Sequence, residues 1–111
     1  MNAKEELIEK LKEIGNIPIK CAEIEYINDF YKMLKTKIIL KTGYTSKEYS
    51  TFLKELDFEY EYEYIPDWRT QNLFGTIWLT DGTWIEHEEY ACDESWIHRY
   101  CPKIPGRIDE L

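Results

Sequence analysis

The chain has 111 residues, and its 14 basic residues against 22 acidic ones give a formal net charge of −8. This length is typical of one domain, and a hydrophobic content of 43% with 15% aromatic residues predicts a folded core rather than intrinsic disorder. The negative charge argues against direct binding of nucleic acid or of anionic membranes, because both need clustered lysine and arginine.

The composition also predicts the compartment. No apolar run approaches the ~20 residues of a membrane span, and the charged N-terminal residues do not resemble a signal peptide. Three cysteines, an odd number, suit a reducing cytoplasm better than a disulfide framework. We expect a cytoplasmic protein with one domain over residues 1–104 and an irregular tail over residues 105–111.

Two amphipathic helices are predicted from their capping residues. Asn2 and Glu5 are placed to cap the first helix, and Gly15 is placed to end it in the left-handed conformation. Thr45 and Glu48 form a second capping box after a glycine. The apolar residues at helical spacing behind these caps are Leu7, Leu11 and Ile14 in the first helix and Tyr49, Phe52, Leu53 and Leu56 in the second.

Strands are predicted where apolar and polar residues alternate or where turn residues bound a short apolar run. In chain order the predicted strands are 21–27, a loose hairpin through 30–41, 58–64, 73–80, 83–90 and 96–101. The predicted fold class is therefore α+β, with two amphipathic helices packed on one antiparallel sheet of about five or six strands.

The Asp81-Gly82 pair predicts a hairpin with a two-residue turn. Such a turn places Leu79 opposite Trp84 and Trp78 opposite Ile85, so the hairpin would be apolar on both faces. Either both faces are packed inside the protein, or one aromatic face is available to a partner.

The charge is distributed unevenly along the chain. Residues 1–54 carry 10 basic and 8 acidic side chains, whereas residues 55–111 carry 4 basic and 14 acidic ones. In the strand predicted over 58–64, every second residue is a glutamate, about 7 Å from the next. Because these carboxylates repel one another, we interpret them as a negative ridge that meets a basic partner. The predicted partner-binding residues are Asp57, Glu59, Glu61, Glu63, Glu86, Glu88 and Glu89, with Trp78 and Trp84 beside them.

No catalytic motif is present, so the prediction is a protein that is not an enzyme and needs no cofactor. A zinc-stabilised adaptor is one alternative, because His87, Cys92, His98 and Cys101 are ligand types that zinc accepts. Their spacing matches no usual zinc module, and a straight strand would point His98 and Cys101 to opposite faces. A small enzyme or ligand-binding domain is the other alternative.

That second alternative rests on the tryptophans. A pocket lined by Trp78, Trp84 and Trp96 with a histidine could hold a small molecule. A deep concave site with converging polar groups would favour this interpretation over the binding protein.

The hairpin sequence Phe74-Gly75-Thr76-Ile77-Trp78, continuing through Asp81-Gly82-Thr83-Trp84, resembles that of small phage-encoded proteins of unassigned function. The resemblance extends over about residues 37–105 and implies no catalytic residue. It implies a setting of phage or mobile-element interaction with a host, in which compact acidic inhibitors of defence systems are common.

The functional expectation combines this setting with the charge pattern. We expect a non-enzymatic acidic protein that blocks a basic surface of a host nucleic-acid-handling defence protein of the CRISPR or restriction effector type. Direct binding to nucleic acid or membrane is not expected. The aromatic hairpin leaves open whether two copies of the chain form a homodimer.

Overall fold

The computed structural model describes residues 2–29, 34–60, 64–65, 68–69, 73–90 and 93–101. Within them the elements are, in chain order, α1 (Ala3–Glu13), β1 (Ile19–Asp29), β2 (Leu34–Leu40), α2 (Ser46–Glu55), β3 (Tyr64–Ile65), β4 (Trp68–Arg69), β5 (Leu73–Leu79), β6 (Trp84–Tyr90) and β7 (Asp93–Arg99). The α+β class is confirmed. The tail predicted over residues 105–111 lies outside the described residues.

Both helices begin at the capping residues that the sequence indicates. The Asn2 side chain accepts a hydrogen bond from the Glu5 backbone N–H at 3.0 Å. In α2, the Glu48 backbone N–H donates to the Thr45 hydroxyl at 3.2 Å, and the Glu48 carboxylate accepts from the Thr45 N–H at 3.1 Å. Gly15 follows α1 with a φ of +97°. These bonds satisfy N–H groups that have no partner inside a helix.

The main sheet is antiparallel, with the strand order β2-β1-β5-β6-β7. The loose hairpin predicted through 30–41 is not what the described residues form: Leu34–Leu40 is one continuous strand, β2, which pairs with β1. β1 is longer at both ends than the predicted strand 21–27. The long-range pairing of β1 with β5 joins this pair of strands to the β5–β6–β7 meander. β3 and β4 form a separate two-stranded ribbon.

The hydrophobic core lies between the helices and one face of the main sheet. Leu7 of α1 and Phe52 of α2 are buried in the same cluster as alternate residues of the strands. The buried strand residues in that cluster are Ile19, Ala22, Ile24, Ile38, Leu40, Leu73, Ile77, Leu79, Ile85 and Trp96. Because successive strand residues point to opposite faces, the residues between them lie on the other side of the sheet.

The predicted pairing of the β5–β6 hairpin is wrong by one residue. Trp78 pairs with Trp84, whereas the predicted two-residue turn placed Leu79 opposite Trp84 and Trp78 opposite Ile85. A shift of one residue moves a strand's side chains to the other face. Leu79 and Ile85 are therefore buried in the core, and the two tryptophans share the opposite face.

The cause of this shift is a loop that is one residue longer than a two-residue turn. The Leu79 N–H donates to the Thr83 carbonyl at 2.9 Å, and Gly82 has a φ of +86°. This left-handed residue is typical of a three-residue hairpin loop with a bulge. The Asp81 carboxylate accepts from the Thr83 hydroxyl at 2.6 Å and from its N–H at 2.9 Å, and these bonds lower the pKa of Asp81.

The strand predicted over 58–64 does not form over residues 58–60, whereas its last residue, Tyr64, begins β3. Glu59 makes an isolated bridge to Asn2, and the Phe58 carbonyl accepts from the Ala3 N–H at 3.0 Å. The segment therefore supplies a backbone acceptor to the first turn of α1, whose N–H groups lack partners within the helix. It lies beside the helix N-terminus rather than in the main sheet.

The last strand is shifted toward the N-terminus relative to the prediction, since β7 covers Asp93–Arg99 rather than 96–101. Glu94 lies within it, buried, and its carboxylate accepts from the Leu73 N–H at 3.0 Å. In the sequence, an acidic residue within a stretch that has no basic residue is expected to face solvent. Glu94 instead provides the acceptor that the buried Leu73 N–H needs.

Gly75 of β5 offers a test of how closely β1 and β5 are packed. A Cβ atom at this position would lie 2.9 Å from Ile24 Cγ1 and 3.1 Å from the Glu23 carbonyl oxygen. We expect Gly75→Ala to lower the free energy of unfolding by about 1–3 kcal/mol, because the fully buried Ile24 has little room to move. Urea denaturation measures this, and an unchanged midpoint would contradict the packing described.

Candidate functional site

The face of the main sheet opposite both described helices is called here the outer face. Strand alternation places on it Lys35, Lys37 and Ile39 of β2, Cys21, Glu23 and Glu25 of β1, Phe74, Thr76 and Trp78 of β5, Trp84, Glu86 and Glu88 of β6, and Ser95, Ile97 and Arg99 of β7. It combines large apolar side chains with charged ones, so it is the candidate site.

One row of directly paired residues crosses the outer face from edge to edge. It runs through Ile39, Glu23, Thr76, Glu86 and Ile97. The small threonine in the middle has a carboxylate on each side, on strands about 10 Å apart. An isoleucine stands at each end, so the row is apolar at both edges and acidic toward its centre.

Most of the exposed large hydrophobic side chains among the described residues lie on the outer face. Among the described residues, five large hydrophobic side chains are exposed. Four of them lie on the outer face: Ile39 (53% exposed), Phe74 (39%), Trp78 (40%) and Ile97 (36%). The fifth, Tyr100, lies beyond the end of β7. Clustered exposed apolar residues are typical of interaction sites, whereas scattered single ones are not.

At the β2 edge, a lysine is held against the acidic centre. Lys37 Nζ lies 2.8 Å from Glu23 Oε1, and both side chains are about half exposed. The hydrogen bond to Glu23 raises the pKa of Lys37, and the negative charges of Glu23 and Glu25 add to this effect. Glu23 therefore favours a cation beside it.

At the β7 edge, an arginine has the same role. The Arg99 guanidinium donates to Glu88 Oε1, and its Nε lies 3.3 Å from Glu86 Oε2, an ion pair that is not aligned as a hydrogen bond. The hydrogen bond from Arg99 lowers the pKa of Glu88. Trp84 Nε1 donates to Glu86 Oε1 at 2.6 Å, so this carboxylate is held in place from two sides.

The charges of the outer face are sorted by strand. Among the side chains that the structure describes on this face, the carboxylates stand on β1 and β6 and the cations on the two edge strands. The carboxylates are Glu23, Glu25, Glu86 and Glu88, and the cations are Lys35, Lys37 and Arg99. The face is therefore acidic along its middle and basic at its edges, rather than uniformly acidic.

A shallow groove of about 190 Å³ opens on the outer face along β1 and β5. Phe74 and Trp78 line it together with Thr76, and Glu23 and Glu25 contribute carboxylates from the neighbouring strand. Phe74 and Trp78 are four residues apart on one strand, a separation of about 14 Å, with the small threonine between them. The result is an aromatic groove with an acidic side.

The predicted ridge of acids is not one surface. Glu86 and Glu88 lie on the outer face with Trp78 and Trp84, as the preceding contacts describe, but Glu89 follows Glu88 and alternates to the helix side.

Asp57 and Glu59 lie at the N-terminus of α1, where Asn2 Nδ2 donates to Asp57 Oδ1 at 3.0 Å and Lys4 Nζ lies 3.9 Å from Asp57 Oδ2. That helix packs on the inner face, so these acids do not extend the outer face. Glu61 and Glu63 lie outside the described residues.

A buried polar cluster lies beneath α1, and the sequence does not predict it. His87 Nδ1 donates to the Leu73 carbonyl at 2.9 Å, and its Nε2 lies 3.0 Å from Glu6 Oε1 and 2.9 Å from Tyr60 Oη. The Tyr60 hydroxyl donates to Glu6 Oε2, and Glu94 Oε1 lies 3.6 Å from His87 Nδ1. The cluster ties the helix to β5, β6 and β7.

The alternative zinc set is not brought together in the described residues. Both ring nitrogens of His87 have partners within the fold, and His98 Nε2 lies 2.9 Å from Thr83 Oγ1. Cys101 is exposed after β7, and Cys92 lies outside the described residues. Where the structure describes the chain, no group of three or more His, Cys, Asp or Glu residues could hold a metal ion.

The three tryptophans proposed to line one pocket point to different sides of the sheet. Trp96 is buried in the core, where its ring meets the edge of the His87 ring at a centroid distance of 4.8 Å. Trp78 and Trp84 lie on the outer face. The predicted pocket of three tryptophans is therefore wrong, because Trp96 faces the core while Trp78 and Trp84 lie on the other side of the sheet.

Sequence reasoning missed Glu23, Glu25, Phe74 and Arg99 as site residues. The alternation of apolar and polar residues over 21–27 indicates that Glu23 and Glu25 share one face of a strand, but not that this face belongs to a site. The signal that could have singled them out is the pairing of β1 with β5, which no local pattern indicates.

Comparison of the chain with protein-family models, with curated proteins and with solved structures found no match. Among the described residues, no helix is long and apolar enough to cross a membrane.

Proposed function

We propose that this protein is a non-enzymatic binding domain whose outer face docks against a basic surface of another protein. The observation that carries the proposal is the combination, on a single sheet face, of four exposed large hydrophobic side chains with an acidic centre. Apolar contact provides affinity, and charge complementarity selects a basic partner.

The size of the outer face suits the core of a protein interface. Five strands at ~4.8 Å spacing and about 20 Å of strand length give a surface of about 400 Å² in projection. Standard interfaces bury about 800 Å² on each partner, with a central apolar part and a polar rim. Phe74 and Trp78 would form the centre, and Lys37 and Arg99 would belong to the rim.

The buried cluster does not support catalysis as an alternative. It contains histidine, tyrosine and carboxylates, which are residue types that enzymes use for proton transfer. The side chains of His87 and Glu94 are 0% and 1% exposed, however, so a substrate could not reach them without displacing α1. The cluster supports a structural role, and the binding function is preferred for this reason.

The more specific form of the proposal is a phage or mobile-element inhibitor that blocks a host nucleic-acid-handling protein. Surfaces that bind nucleic acid are rich in lysine and arginine, so they complement an acidic face. The net charge of the second half of the chain and the resemblance of the hairpin to small phage-encoded proteins support this form. Cys21 and Cys101 are free thiols, which suits the reducing cytoplasm in which such a partner would act.

An affinity capture with matched charge reversals tests the proposal. The immobilised protein is exposed to bacterial lysate at about 0.1 M and about 1 M NaCl, between which the Debye length falls from about 10 Å to about 3 Å. The test variant is Glu23→Lys with Glu86→Lys on the outer face. The control is Glu9→Lys with Glu55→Lys, which makes the same charge change at exposed helix positions.

We expect a basic protein that the wild type and the control retain, that high salt releases and that the outer-face variant loses. Retention of the same proteins by all three forms would contradict the proposal.

A further inference from the structure

The groove on the outer face has walls of a particular chemistry. Phe74 and Trp78 offer exposed aromatic rings, and Thr76 between them leaves room at the groove's base. Glu23 and Glu25 stand on the adjacent strand, paired with Thr76 and Phe74 respectively. Aromatic faces and carboxylates both attract cations, and they do so more strongly together than either does alone.

Two of the three cations on this face already contact its carboxylates. Lys37 contacts Glu23, and Arg99 contacts Glu86 and Glu88. Both approach from the edge strands, so the aromatic middle of the groove is not occupied by either of them. Lys37 Nζ lies 2.8 Å from Glu23 Oε1, so a cation fits beside this carboxylate, and the hydrogen bond to Glu23 raises the pKa of Lys37.

We propose that the groove receives an arginine side chain of the partner protein, with its guanidinium group against Glu23 and Glu25 and its plane against the ring of Trp78 or Phe74. Arginine fits better than lysine because its planar fork can bond two carboxylates and stack on an aromatic ring at once. Its aliphatic stem would lie over Thr76. This inference rests on the proposed function, since it names the group by which the partner is recognised.

Lys37 competes with the incoming arginine for Glu23. Removing its charge leaves Glu23 available, so Lys37→Met should strengthen binding of a cation in the groove. Glu23→Gln with Glu25→Gln should weaken it. Lys47→Met is the matched control, because Lys47 is exposed on α2, does not line the groove of Phe74 and Trp78, and its loss changes the net charge equally.

A small arginine derivative measures binding in the groove alone, without the other contacts that a partner protein would make. N-acetyl-arginine amide carries only the side-chain charge, and N-acetyl-citrulline amide has nearly the same shape without that charge. We expect millimolar binding of the arginine probe, followed by NMR shifts of the Thr76 methyl and Trp78 ring resonances. Lys37→Met should tighten this binding and the double glutamine variant weaken it, each by about fivefold, which corresponds to about 1 kcal/mol.

Equal shifts with the citrulline probe, or a Lys37→Met variant that binds no better than Lys47→Met, would overturn the inference. Partner capture that depends on the outer face, without arginine binding in the groove, would disprove only this inference. Capture that ignores the outer-face charge reversals would instead disprove the proposed function, whatever the probe does.

Discussion

Replacing Phe74 and Trp78 together by threonine is expected to weaken binding of the captured partner by about 100-fold or more. Truncating an aromatic residue at the centre of an interface costs about 2 kcal/mol or more, and about 2.7 kcal/mol corresponds to 100-fold. Threonine keeps a high strand propensity. Because both side chains are about 40% exposed in the isolated protein, we expect the free energy of unfolding to change by less than about 1.5 kcal/mol.

Calorimetric titration with the purified partner measures the affinity, and urea denaturation measures the stability. Tyr100→Thr is the control, because Tyr100 is 68% exposed but lies beyond the end of β7. A double variant that binds as well as the Tyr100 variant would contradict the role of the outer face. A large loss of stability would show that the two aromatic residues serve mainly to hold the fold.

Replacing His87 by alanine is expected to lower the free energy of unfolding by about 3–5 kcal/mol, a large part of the total for a domain of this size. The imidazole is fully buried and joins the Leu73 carbonyl, Glu6 and Tyr60. Without the imidazole, the Leu73 carbonyl loses its hydrogen-bond donor, and Glu6 and Glu94 lose the ring that lies between them. The substitution also opens a cavity in the core.

Two other variants make this prediction specific. His98→Ala removes a half-buried imidazole with one bond to Thr83, so its cost should stay near or below about 1 kcal/mol. His87→Gln keeps hydrogen-bonding groups in the cluster and should cost less than His87→Ala, which gives a measurable value if the alanine variant does not fold. Equal costs for His87→Ala and His98→Ala would contradict the structural role of the cluster.

The sequence predicted best the features that depend on neighbouring residues. Both helix starts are determined by side chains within three residues of the first turn, as Thr45 and Glu48 illustrate. The strands of the meander follow from alternation and turn residues. The segment at 58–60 has strand-like alternation, but its backbone is used by the N-terminus of α1, a contact between residues more than 50 positions apart.

The candidate site was harder to predict because it depends on the hairpin register and on a long-range pairing. The Asp81-Gly82 pair fits a two-residue turn, but Thr80, Asp81 and Gly82 form a three-residue loop in which the Asp81 side chain bonds Thr83. Because the loop is one residue longer than a two-residue turn, Trp84 pairs with Trp78 and shares a face with it. Glu86 and Glu88 were predicted as partner-binding residues and do lie on that face.

The buried cluster could not be predicted from composition. Glu94 belongs to a stretch without any base, and such stretches are usually solvated. Its burial follows from the need of the Leu73 N–H for an acceptor, together with the approach of His87 from β6. Charge counts along the chain therefore overstated the acidic surface, since some acids are internal and others are paired with Lys37, Arg99 or Lys4.

The tryptophan side chains allow a direct test of the central claim, which is that the outer face contacts a basic partner. Trp78 and Trp84 lie on that face, whereas Trp96 lies 3% exposed in the core behind it. The indole N–H resonances, assigned by single Trp→Phe substitutions, can be followed as purified partner is added. We predict that the Trp78 and Trp84 signals shift or broaden while the Trp96 signal changes far less. Unchanged Trp78 and Trp84 signals in a saturated complex would contradict the account.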